Sequence, residues 1–150
     1  MQTLDEQQAT GRVERHIAHA VAALPTRPRL ELASELRTEC DDPTDFGPKG
    51  RIQVSRRYWL AGLPRERTRE VFDALHEHWL AGDYRVLEDG RDRAVEDMTT
   101  GEVRPAPLLW VEHNRDGFRM TLVGSAGGDL SLVATSPCIW PDGTPGSGVA

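Results

Sequence analysis

Apolar residues at Val13, Ile17, Ala20, Val21 and Leu24 recur at spacings of three and four, the period of a helix that buries one stripe. A helix over residues 6–24 is expected, with Thr10 as a candidate cap and Pro25 as its stop. Residues 29–40 carry a two-sided signal. Leu30, Leu32 and Leu36 alternate as in a strand, while Glu-Leu-Ala-Ser-Glu-Leu would also tolerate a helix. An extended segment is the expectation. The clearest strand covers residues 51–60, where Ile52, Val54, Tyr58 and Leu60 share one face and Gln53, Ser55, Arg57 and Trp59 the other. Gly62-Leu-Pro64 then turns the chain into a second helix, with Pro64 as its first residue and Gly82 as its C-terminal stop. Thr68, Val71, Phe72, Leu75 and Trp79 form its stripe.

A short strand is expected over residues 84–87, followed by a polar, aperiodic stretch over 89–107 that reads as a mobile loop. Residues 108–113, 118–123 and 130–135 alternate again. Short Gly-containing connections join them, the signature of an antiparallel meander. The polar start of the chain reads as a frayed lead-in, residues 41–50 as an Asp/Pro/Gly surface loop, and the Gly/Pro/Ser-rich end as a loose tail. The elements predict a single α+β domain over residues 1–150, with 1–9 and 141–150 flexible. Its simplest layering is a two-layer sandwich: an antiparallel sheet of four to six strands with two helices on one face.

Composition narrows the function classes. The 150 residues suit one domain, and no apolar run approaches the ~18 residues of a membrane span. Ten prolines and 14 glycines break any coiled-coil repeat, and four tryptophans argue for a packed core rather than disorder. With 18 basic against 24 acidic side chains the net charge is −6, which argues against a nucleic-acid partner, since that affinity comes mostly from neutralising phosphates.

Candidate chemistry is sparse. Cys40 and Cys138 form a disulfide in an oxidising compartment or remain two thiols in a reducing one. Cys138 and His113 have the residue types of a nucleophile and its base, but nothing in the sequence orients the histidine. His16 and His19 lie close enough on a helix to share a metal, whereas His76 and His78 point apart. Solvent-facing histidines beside an apolar stripe are the expectation. Asp41, Asp42 and Asp45 fit a turn better than a calcium loop. No catalytic residue, metal ligand or cofactor is therefore expected. The aromatics are more informative. Tyr58 and Trp59 are neighbours on a strand, so one faces the core and the other outward. Arg57, Trp59, Trp110 and Trp140 make a candidate interaction surface, with the aromatic and arginine content typical of binding hot spots. A partly covered sheet face has the same content.

The run Arg51-Ile-Gln-Val-Ser-Arg-Arg-Tyr-Trp-Leu60, then Phe72-Asp-Ala-Leu75 and Tyr84-Arg-Val-Leu87, resembles part of a group of small lipoproteins of actinobacteria. Asp116-Gly-Phe-Arg-Met120, Gly128-Asp-Leu-Ser-Leu132 and Ser136-Pro-Cys-Ile-Trp-Pro141 extend the resemblance over residues 38–142. It implies an exported domain held outside the cell membrane by an N-terminal lipid, with Cys40 paired to Cys138. It carries over no catalytic residue. The chain departs from the group in one respect. Cys40 follows Arg37-Thr-Glu39 rather than the small apolar residues of a lipid-attachment site, and no secretory segment is seen before it. Membrane contact is thus expected only through an anchor outside this sequence; otherwise the protein is secreted or cytoplasmic. The expected function is a non-enzymatic extracytoplasmic domain that binds a protein, an envelope component or a small ligand. The alternative is a cytoplasmic acidic interaction protein, such as an immunity protein that neutralises a basic toxin, because opposite charge speeds encounter.

Overall fold

Asp5, not Thr10, opens the first helix, α1 (Glu6–Ala22). Its carboxylate accepts the Gln8 backbone N–H at 2.7 Å while the Gln8 side chain accepts the Asp5 N–H at 3.0 Å, so two otherwise orphaned amides satisfy each other's partners in a capping box. Thr10 lies inside the helix and donates its hydroxyl to the Glu6 carbonyl. The computed structural model describes residues 2–40 and 50–145. The acidic stretch 41–49, expected as a loop, lies outside them.

The chain continues through β1 (Arg29–Glu39), β2 (Ile52–Ala61), a short 3-10 turn (Arg65–Arg67), α2 (Thr68–Ala81) and β3 (Tyr84–Gly90). Then come β4 (Ala94–Glu96), β5 (Val103–Pro105), β6 (Leu108–His113), β7 (Arg119–Gly124) and β8 (Leu130–Thr135). Six strands form one sheet in the order β1-β2-β8-β7-β6-β3, every pair antiparallel. The fold is α+β, with α1 against β2 and β8 and α2 against β3 and β6. Pro64 stands just before the 3-10 turn in an extended conformation rather than as a first helical residue.

Alternation explains how the sheet meets the helices. Leu109, Leu122 and Leu132 lie opposite one another across three strands, and Val111, Met120 and Ala134 form the next row. All six are fully buried, as are Val13 and Ile17 of α1 and Phe72, Leu75 and Trp79 of α2. Each large side chain so buried contributes roughly 1.5–3 kcal/mol relative to exposure. Among the described residues the Trp79 indole N–H is a buried side-chain donor left without a partner.

β1 forms for a different reason. Leu30, Leu32 and Leu36 are all exposed, and the strand is held by pairing along its whole length with β2. A bulge at Ala33 shifts the register between Leu32 and Ser34, which moves the later residues to the opposite face. This is why the leucines carried so equivocal a signal. Glu35 and Arg37 face the α1 side, paired with Arg56 and Glu6 at 2.6 and 2.7 Å, and charges of this kind discourage edge-to-edge association.

Two expectations are corrected at the loops. Residues 89–107 are not an aperiodic excursion: β3 runs on to Gly90, and β4 pairs with β5 as a hairpin. Local polar bonds close that hairpin. The Asp97 carboxylate accepts the Thr99 N–H and hydroxyl at 2.8 and 2.6 Å, and Gly101 supplies a φ of 72°. All six hairpin residues are exposed, so no hydrophobic period announces them. The second correction concerns the chain ends. Thr3 donates its N–H to Gly143, and Glu6, in the first turn of α1, donates its N–H to Pro141. The unsatisfied amides of a helix start thereby recruit residues 141–143, which were expected to hang loose. Cys40 and Cys138 form a disulfide that joins the end of β1 to the segment after β8, with Cα atoms 6.1 Å apart. No helix among the described residues is long and apolar enough to cross a membrane.

Candidate functional site

The face of the sheet turned away from the helices gathers three of the four candidate surface residues. Register places Arg57, Val133, Thr121 and Trp110 in one row across β2, β8, β7 and β6, and Trp59, Ser131, Val123 and Leu108 in the next. Trp59 is 38 % exposed and Trp110 36 %. Three strand spacings and a two-residue offset separate their Cα atoms by about 16 Å. The Arg119 guanidinium lies 5.6 Å from the Trp110 ring centroid and also pairs with Glu112 at 3.1 Å, holding that indole by a cation–π contact. Arg57 is exposed. Trp140 does not belong here. It is 5 % exposed, with its backbone N–H donated to the Thr3 hydroxyl.

A second feature lies on the helix side of the sheet. Four of the five histidines (His16, His19, His78 and His113) line one cleft of about 420 Å³, and His16 is buried rather than solvent-facing as expected. His16 anchors it. Its Nε2–H donates to Asp116 Oδ2 at 2.8 Å, and its Nδ1 accepts the Tyr84 hydroxyl. The Phe118 ring stacks on it at 5.2 Å. His113 Nδ1 accepts the backbone N–H groups of Arg115 and Asp116, each at 3.2 Å. Burial lowers the His16 pKa below 6.5, and Asp116 only partly opposes this. Burial likewise lifts the Tyr84 phenol well above its usual range, with the Asp116 charge adding to it. Burial alone would raise the Asp116 carboxyl, but the Phe118 amide and His16 outweigh it and the pKa falls. His78 is lowered by burial and by neighbouring His19.

Tyr84, His16 and Asp116 are therefore a protonated phenol, a neutral imidazole and a carboxylate, linked in one closed chain of hydrogen bonds. The connectivity is that of a nucleophile, base and orienting acid, with burial holding the phenol's proton in place. The chain serves to fasten α1 to β3 and to the β6–β7 turn. Among the described residues no group of three or more side chains is placed to hold a metal ion. The cluster escaped the sequence because His16 and Asp116 stand 100 residues apart. One signal was present: His16 lies on the Val13–Ile17–Ala20 stripe, where a polar side chain must find buried partners.

A smaller cleft of about 290 Å³ lies on the other side of α1, against β1 and β2. Its charges answer one another: Arg37 pairs with Glu6, and Arg56 with both Glu14 and Glu35, at 2.6–2.7 Å. The Tyr58 hydroxyl also donates to Glu14. No protein-family model matches the chain, and no curated protein matches it in sequence.

Proposed function

We propose that the chain is a non-enzymatic, extracytoplasmic binding domain that grips a protein partner with the open face of its sheet. The observation that carries this reading is the placement of Trp59 and Trp110. Each is a little over one-third exposed, both sit on interior strands, and partly exposed Thr121 and buried Ser131 lie between them. Tryptophan and arginine are enriched among the residues that dominate protein interfaces, because each offers large contact area together with a polar handle. The disulfide supports the location, since such bonds persist outside the reducing cytoplasm. Membrane attachment, in this reading, comes through a lipid anchor of the kind the lipoprotein resemblance implies.

Photo-cross-linking in the native cells tests the reading. With Thr121 replaced by p-benzoylphenylalanine, illumination should give a discrete adduct between this chain and one protein. Adding Trp59→Ala and Trp110→Ala should abolish it, and the same probe at exposed Leu80 on α2 should give none. No adduct from position 121, or equal adducts from Leu80, would refute the assignment of this face. Location is read separately from the intact mass: export predicts a gain of two hydrogens on reduction, and two free thiols in the untreated protein would contradict it.

A further inference from the structure

The two clefts beside α1 differ in one respect that matters for ligands. In the smaller one every arginine is answered by a carboxylate. In the larger one, Arg12 approaches a carboxylate only at 4.0 Å, from Asp116, which already serves His16, and Arg15 has no ion pair or hydrogen bond with any described residue. We infer that the larger cleft binds a phosphate-type oxyanion through Arg12, Arg15 and the histidines that face them.

Placement supports this. Arg12, Arg15 and His19 lie at helical spacings of three and four, so they share one side of α1. His78 from the end of α2 and His113 from the end of β6 close the opposite walls. Donors thus converge from three elements, which suits a tetrahedral group that accepts on several faces better than a planar carboxylate. Among the described residues no carboxylate lines the cleft. Asp116 lies behind it, spent on His16 and on the Phe118 amide, and Asp83 is turned to Asn114 and Arg115. The floor is tied together by the Tyr84–His16–Asp116 chain of hydrogen bonds. Two arginines beside one cleft in a chain of net charge −6 also favour anions locally. The space, about 420 Å³, falls within the range of small-ligand sites.

The test uses the intact, disulfide-bonded protein and two probes that separate the possible sources of the phosphate. Inorganic phosphate is titrated against the histidine ring resonances at pH 6.5 and constant ionic strength, with chloride as the control. Vesicles of phosphatidylglycerol are sedimented with the protein, with phosphatidylcholine as the control. Saturable shifts of His19, His78 and His113 with phosphate mark a soluble phosphate ester as the ligand. Retention by anionic vesicles without response to free phosphate marks a lipid headgroup. In either arm the Arg12→Gln/Arg15→Gln variant should bind at least about tenfold more weakly, the cost of losing charge-assisted bonds, while melting at the same temperature. Failure in both arms, or binding unchanged in that variant, would overturn the inference without touching the proposal for the sheet's open face.

Discussion

The row Leu109–Leu122–Leu132 and the row Trp110–Thr121–Val133–Arg57 run across the same strands, on opposite faces of one sheet. The first is fully buried under two helices. The second ends in a half-exposed indole on one side and an exposed guanidinium on the other, with a hydroxyl between them. Aliphatic side chains that interdigitate with Phe72, Leu75 and Ile17 leave no polar option and fix the fold. Amphipathic ones can face water alone and still offer area to a partner. The same period of two therefore produces a face that folds the protein and a face that keeps two indoles and a guanidinium partly in water, and residue type rather than pattern tells them apart.

Substitutions on the two faces should separate accordingly. Phe72→Ala, beneath the covered face, should cost about 3–5 kcal/mol in urea unfolding, from lost burial and the cavity left behind. A cost below 1 kcal/mol would mean that the helix layer contributes little. Opening the disulfide with reductant should cost about 2–4 kcal/mol, since it closes a span of 98 residues, and should lower the melting temperature without altering the sheet's far-ultraviolet signal. Acid should have a smaller effect. Because the folded pKa of His16 lies below 6.5, the unfolded chain takes up the proton first. The stability that neutral His16 supplies is whole above pH 6.5 and lost as the pH falls toward the folded value. His78 acts in the same sense, and Asp116 does so lower, as the pH falls through its depressed carboxyl range. The melting temperature should therefore drop between pH 7 and 5, and His16→Gln should flatten that slope. An equal slope in the variant would place the titration elsewhere.

The covered face was legible in the sequence because burial imposes a period, as in Val13–Ile17–Ala20 and in Ile52–Val54. What escaped was whatever burial did not write. The β4–β5 hairpin is exposed throughout and held by Asp97, and β1 is held by backbone pairing across a bulge that scrambles its leucines. The cap at Asp5 was hidden in a polar stretch that read as frayed. The candidate surface was half legible. Alternation put Trp59 and Tyr58 on opposite faces without saying which faces outward, whereas Trp140, after the last strand, had no period to reveal its burial. The histidine cleft was least legible, because α1, α2, β3 and β6 come together only in the folded chain.

Urea unfolding of the Trp59→Ala/Trp110→Ala variant beside Leu122→Ala tests most directly whether the two faces are divided in this way. The open-face double variant should lose less stability than the single covered one, whose cost should be about 2–5 kcal/mol. If removing the two tryptophans destabilised the protein as much as removing Leu122, they would be part of its structure, and the open face would lose its standing as a recognition surface.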